Sequence, residues 1–224
     1  VDESPLCPFC DEVLPTEPTE TLLEMLETAR LNSVPEARPG NTLGRRLTVY
    51  VAGPVCVRHK FEKSVLPMAI TQGWPTHLDL VDLEQRIKEK KDIFDALIND
   101  PGWPEQGPRY NNLFWLDAVL AVQSGQGGFA GNILNFHKVQ PGYYGELGTH
   151  CIDKTFHRML NILDACITPL TIPQFVHSVL IPEAGVQLIM EDLGVGTTRS
   201  HAMQVMWASA SYGASMFPDD DDDF

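Results

Sequence analysis

Two closely spaced residue pairs could bind a metal: Cys7-x2-Cys10, in Leu6-Cys7-Pro8-Phe9-Cys10, and Cys56-x2-His59, in Val55-Cys56-Val57-Arg58-His59. A gap of two residues lets both side chains of a pair reach one ion, and two such pairs supply the soft and borderline donors that tetrahedral zinc prefers. With all four positions filled by protein, this Cys3His set has no open position for a substrate, so it predicts one structural zinc. The stretch between the pairs, residues 11–55, is much longer than an ordinary finger loop. Tripling a loop costs only about 1 kcal/mol by the logarithmic closure law. Structural zinc contributes on the order of 10 kcal/mol, so the long loop does not forbid the site. The competing reading is a set of buried thiols and a satisfied core histidine. Cys151 and Cys166 have no paired spacing and read as helix-buried thiols.

A second group lies in Tyr143-Tyr144-Gly145-Glu146, where two aromatic rings stand beside a carboxylate at a helix start, with His137 and His150 nearby. The free N–H groups of a helix start favour an anion or a polar ligand. This turn is therefore a candidate ligand site, or a place where Glu146 acts as a general base with a histidine. The plainer reading is that the tyrosines pack and Glu146 complements the helix dipole. Gly125-x-Gly127-x-x-Ala130 fits a loose dinucleotide fingerprint but lacks the strand-to-helix context that gives it meaning. The chain has no Gly-x-Ser-x-Gly elbow, His-Glu-x-x-His zinc motif or phosphate loop.

The elements that must position these residues are helical. Thr21 and Glu24 have capping-box spacing, and Leu22, Leu23, Met25, Leu26 and Leu31 follow at helical intervals. Residues 32–45 read as a loop and 47–51 as a short strand. A helix starts near Pro54 and ends before Pro67. The stripe Leu80, Leu83, Ile87, Phe94, Leu97 and Ile98 marks one helix over 79–99. Further helices are expected over 113–122, from about 140 to 163, over 173–180 and 182–192, and over 198–211. The expectation is a mainly α, irregular multi-helix domain with a zinc-bound N-terminal segment and few or no strands. Residues 1–66 form the zinc-binding part, 67–218 a helical body packed with it as a single domain, and 219–224 an acidic disordered tail.

Sixteen basic and 30 acidic side chains give a net charge of −14, which excludes a uniformly basic surface that tracks phosphates. No apolar run is long enough to cross a bilayer, and no signal pattern opens the chain, so no membrane partner is expected. The first residue is Val1, which suggests a piece of a longer protein. Five cysteines are too few for a disulfide scaffold and suggest a reducing compartment, nucleus or cytoplasm.

Several blocks together resemble the fungal domain named after restriction of telomere capping protein 4. They are Cys7-Pro8-Phe9-Cys10-Asp11-Glu12-Val13-Leu14-Pro15, Cys56-Val57-Arg58-His59-Lys60-Phe61-Glu62 and Gly73-Trp74-Pro75. In the second half they are Gln140 to Gly148, Val179-Leu180-Ile181-Pro182-Glu183, Glu191 to Val195 and Tyr212-Gly213. Residues 101–136 depart most from that pattern. The resemblance implies a fungal nuclear or cytoplasmic protein with a link to telomere capping, and it supplies no reaction.

The function this suggests is a zinc-stabilised module that binds protein or chromatin. The alternatives are DNA binding through a local patch of Arg45, Arg46, Arg58, Lys60 and Lys63, and an enzyme using Glu146 with a nearby histidine.

Overall fold

A computed structural model describes residues 6–100, 107–125, 139–162 and 165–219. The chain divides into two compact units, Val1–Trp74 and Pro75–Phe224. Gly127, Ala130, His137 and Asp220 to Asp223 lie outside the described residues.

In the first unit, helix α1 (Glu20–Leu31) leads to a minimal antiparallel ladder, β1 (Val34–Pro35) with β2 (Arg45–Arg46), and then to the long helix α2 (Val49–Thr71). The cap of α1 is Thr19, whose hydroxyl accepts from the Leu22 N–H at 3.3 Å, rather than Thr21. The strand expected over 47–51 is not formed. Residues 49–51 open α2 instead, and Pro54 and Pro67 lie inside the helix rather than bounding it. Each proline removes one backbone bond. The buried stripe Val55, His59, Glu62 and Ala69 recurs at helical spacing and holds the helix across both. A small core of Cys7, Leu14, Leu22, Leu26, Ala29 and Val55 joins the N-terminal segment to α1 and α2.

The second unit is helical: α3 (Leu80–Glu89), α4 (Lys91–Ile98), α5 (Leu113–Gln123), a 3-10 turn (Gly142–Tyr144) and α6 (Gly145–Met159). It continues with α7 (Ile172–Phe175), a π turn (Val176–Leu180), α8 (Ile181–Leu193) and α9 (Arg199–Met216). The single helix expected over 79–99 breaks at Lys90, so that Leu83 and Ile87 pack on one part while Phe94, Leu97 and Ile98 pack on the other. The two helices expected over 173–180 and 182–192 are one run. Pro182 has no N–H to give to the carbonyl four residues back, and the widened π turn just before it absorbs the lost bond. Cys166 is exposed and outside any helix, contrary to the buried helical thiol expected, and its carbonyl accepts from Arg109 at 2.7 Å. No helix among the described residues is long and apolar enough to cross a membrane.

Helix α8 is buried nearly all round, through Ile181, Ala184, Val186, Leu188 and Ile189, and packs against α3, α6 and α9. The turn Gly142–Tyr144 is held mainly by α9. A methyl on Gly213 would lie 2.2 Å from the Gly142 carbonyl oxygen, and one on Gly145 would lie 2.2 Å from the Gly213 carbonyl oxygen. Backbone therefore meets backbone at this crossing, and only glycine fits.

Gly213→Ala should destabilise the second unit by about 2 kcal/mol or more, because neither carbonyl belongs to a flexible side chain that could yield. Gly53→Ala should instead stabilise the first unit by ~0.5–1 kcal/mol, since a methyl at Gly53 in α2 meets nothing within 4 Å. Denaturant midpoints of the two variants check both signs.

Candidate functional site

The first cysteine pair sits in a tight hairpin closed by a bridge between Leu6 and Val13. The Cys7 N–H donates to the Glu12 carbonyl at 2.7 Å and the Asp11 N–H to the Cys7 carbonyl at 3.1 Å. Asp11 holds φ of +64°, a left-handed conformation uncommon for a residue with a side chain. Its carboxylate is anchored by Arg38 at 2.8 and 2.9 Å and by the Asn41 amide at 2.7 Å. Those contacts hold the Asp11 carboxyl below the usual carboxylate range. Asn41 also donates to the Cys7 carbonyl at 3.0 Å, and Arg38 to the Pro8 carbonyl at 2.7 Å. The second pair, Cys56 and His59, lies three residues apart on α2 and so on one helical face.

The structure brings all four donors together: the ligand atoms of Cys7, Cys10, Cys56 and His59 lie within 4.8 Å of one another. Cys7 Sγ stands 4.0 Å from Cys56 Sγ, and Cys10 Sγ 3.1 Å from His59 Nε2. Bonds of about 2.3 Å to sulfur and 2.0 Å to nitrogen around a tetrahedral ion imply donor separations of about 3.5–3.8 Å, which these two edges bracket. His59 is fully buried, and its other ring nitrogen, Nδ1, has no hydrogen-bond partner among the described residues. Burial lowers the pKa of the imidazole, which favours the neutral form that ligates. Burial first, and then the neighbouring thiols, push Cys56 up, and burial does the same to Cys7. A cation among them reverses that preference by favouring the thiolates. The donor set, its spacing and its burial fit a metal ion.

The support for this group includes a residue that sequence reasoning did not single out as functional. Glu62, buried one turn beyond His59, accepts from the Thr19 N–H at 2.9 Å, from the Thr19 hydroxyl, and from Arg58 Nε at 2.6 Å. It thereby joins the cap of α1 to α2. A glutamate on the apolar stripe of α2 was the available signal.

The expected basic patch is largely engaged within the chain. Arg58 pairs with Glu62, Lys60 with Glu12 at 2.7 Å, Arg46 with Glu36 at 3.8 Å, and Arg45 donates to the Ser33 hydroxyl at 2.6 Å. Lys63 is exposed.

In the second unit the Tyr143–Glu146 group separates into two environments. Tyr143 and Tyr144 are buried at 2% exposure, and both hydroxyls donate to Asp192 Oδ2, at 2.6 and 2.5 Å. Arg86 completes the network, donating to Asp192 Oδ1 at 2.6 Å and to Glu191 at 3.0 Å, while Lys90 also pairs with Glu191. Burial, followed by the neighbouring charge, pushes both phenols well above their usual range, so they act as hydrogen-bond donors. The helix-start N–H groups expected to receive a ligand are occupied: those of Glu146 and Leu147 both donate to the Phe217 carbonyl at 3.1 Å.

Glu146 itself faces a cavity of about 300 Å³ that it shares with Gln140, His150, Asp153, His177 and Asp219. His137, the other histidine considered, lies outside the described residues. Elsewhere in the unit, Glu183 is buried in a two-pronged ion pair with Arg199, both contacts 2.6 Å, and also accepts from Asn112 at 2.7 Å.

The second unit is thus a helical domain organised around a glycine-bounded tyrosine turn and the acidic end of α8. The model of the RTC4-like domain family matches residues 114–218, so this part of the chain is similar to an RTC4-like domain. The match contains the tyrosine turn, Asp192 and Gly213, and begins after the Cys3His group. No curated protein and no solved structure matches the chain.

Asp192→Ala should cost about 3 kcal/mol, because it leaves Arg86 and two buried hydroxyls without their shared acceptor. Glu146→Gln should change stability by less than about 1 kcal/mol, as expected for a first-turn carboxylate beside a cavity. Thermal unfolding of the two variants measures the contrast.

Proposed function

We propose that the chain is a zinc-stabilised interaction module of a nuclear or cytoplasmic protein, which binds a protein or chromatin partner and is linked through its RTC4-like domain to telomere capping. The observation that carries this reading is the Cys3His group: four protein donors gathered around one position leave no place for a substrate. A single zinc there has a structural role, tying the N-terminal hairpin to α2. In the second unit, the tyrosines of the turn are engaged with Asp192, and Asp192 with Arg86. The N–H groups that could steady a developing oxyanion are taken by Phe217, which favours binding over catalysis by Glu146. Pairing of Arg46, Arg58 and Lys60 with carboxylates favours a protein partner over bare duplex DNA.

The whole chain, immobilised and exposed to nuclear and cytosolic extracts, should retain a protein partner after nuclease treatment, and Glu146→Gln should release it without loss of fold. Retention of duplex DNA alone, with a steep salt dependence, would replace this reading with the DNA-binding one.

Chelation should lower the melting temperature of the first unit markedly, since ligation and folding are coupled. Cys10→Ala should abolish metal retention, while Cys151→Ala and Cys166→Ala should leave one equivalent in place. Elemental analysis of the purified variants decides this.

A further inference from the structure

We propose that the cavity beside Glu146 receives the cationic side chain, lysine or arginine, of the partner polypeptide. This inference rests on the interaction-module reading and names the chemistry that reading leaves open. At about 300 Å³ the cavity lies at the lower end of the range for ligand pockets, a size suited to one side chain rather than a cofactor.

Its wall is rich in acceptors. Glu146, Asp153 and Asp219 bring three carboxylates, and no lysine or arginine is among the described residues that line it. Two of its acceptors are buried and unsatisfied. Gln140 is 5% exposed and its Oε1 has no hydrogen-bond partner among the described residues; Asp153 is only half-buried, but its buried Oδ1 atom likewise has none. His157 Nε2 stands 3.6 Å from Asp153 Oδ1, too far for a hydrogen bond. Native structures rarely leave such groups unpaired, and a carboxylate oxygen can be satisfied only by a donor. An incoming ammonium or guanidinium supplies several donors and a positive charge together. Ile181, buried on the same wall, offers apolar surface to the methylene stem.

A bare metal ion fits less well. Among the described residues, the Cys3His group is where three or more metal-binding side chains converge. Glu146 and Asp219 are instead linked through the Asp219 N–H, at 3.4 Å, and Asp219 stands 3.7 Å from His150.

The test is fluorescence anisotropy of capped pentapeptides with a central lysine, arginine or norleucine, titrated with the full chain. The lysine or arginine peptide should bind at least tenfold more tightly than the norleucine peptide, and the ratio of the two cationic peptides identifies the preferred head group. Asp153→Asn should weaken the cationic peptide at least fivefold at unchanged melting temperature and metal content. Should that variant fold poorly, Asp219→Asn, at the surface end of the described chain, provides the same test. Equal binding of norleucine, no effect of either substitution, or no binding of either cationic peptide would overturn the proposal. A partner captured from extract equally by wild type and Asp153→Asn would sink the cavity assignment and leave the module reading standing. Capture of no partner at all would sink the module reading itself.

Discussion

Three thiols and an imidazole crowded into one buried place are the constraint on which the first unit depends. Its apolar core is small, built around Leu14, Leu22, Leu26, Ala29 and Val55, and one of the donor cysteines is itself a member. A unit of this size gains little from such a core against the entropy of ordering its loops. The hairpin at Cys7–Cys10 and the face of α2 bearing Cys56 and His59 share no long ladder. The tetrad, the Glu62 link to Thr19, and the Arg38–Asp11–Asn41 cluster hold them together. A metal ion at the tetrad would turn a set of crowded, partly buried groups into a strong tie within the unit.

The second unit meets a different constraint with the same economy of residues. The crossing of the tyrosine turn with α9 is so close that Gly145 and Gly213 leave no room for a side chain. Tyr143 and Tyr144 then reach inward to Asp192 at the end of α8, and Arg86 closes the network from α3. Once the tyrosines are engaged in this way, Glu146 is left facing the cavity with His150, Asp153 and His177. Of the blocks that resemble the family in this half, Gln140 to Gly148 and Tyr212-Gly213 meet at this crossing, Glu191 to Val195 supplies Asp192 to the tyrosines, and Val179 to Glu183 supplies the buried partner of Arg199.

What could be read from the sequence was what local geometry determines. Ligand spacing is set within one hairpin and one helical turn, so the Cys3His group was visible without the fold. The mainly helical class followed from apolar periodicity. Helix ends were harder to place: Pro54 and Pro67 suggested boundaries, yet the buried stripe of α2 outweighs two lost backbone bonds. The roles of Glu62, Asp192 and Arg86 were hidden for a further reason. Their partners are tens of residues away in sequence, and although the place of Glu62 on an apolar stripe signals burial, nothing local names the distant helix cap that it meets. The tyrosine turn was legible as a place of importance, but its direction was not, because whether a ring points to the core or to a cavity depends on helices that arrive later in the chain.

The central claim is that one zinc ion is bound by Cys7, Cys10, Cys56 and His59. X-ray absorption spectroscopy at the zinc edge, on protein purified without added chelator, tests it most directly. The account predicts a four-coordinate ion with three sulfur neighbours at about 2.3 Å and one nitrogen at about 2.0 Å. A first shell dominated by oxygen and nitrogen, or protein that is fully folded and carries no zinc, would contradict it.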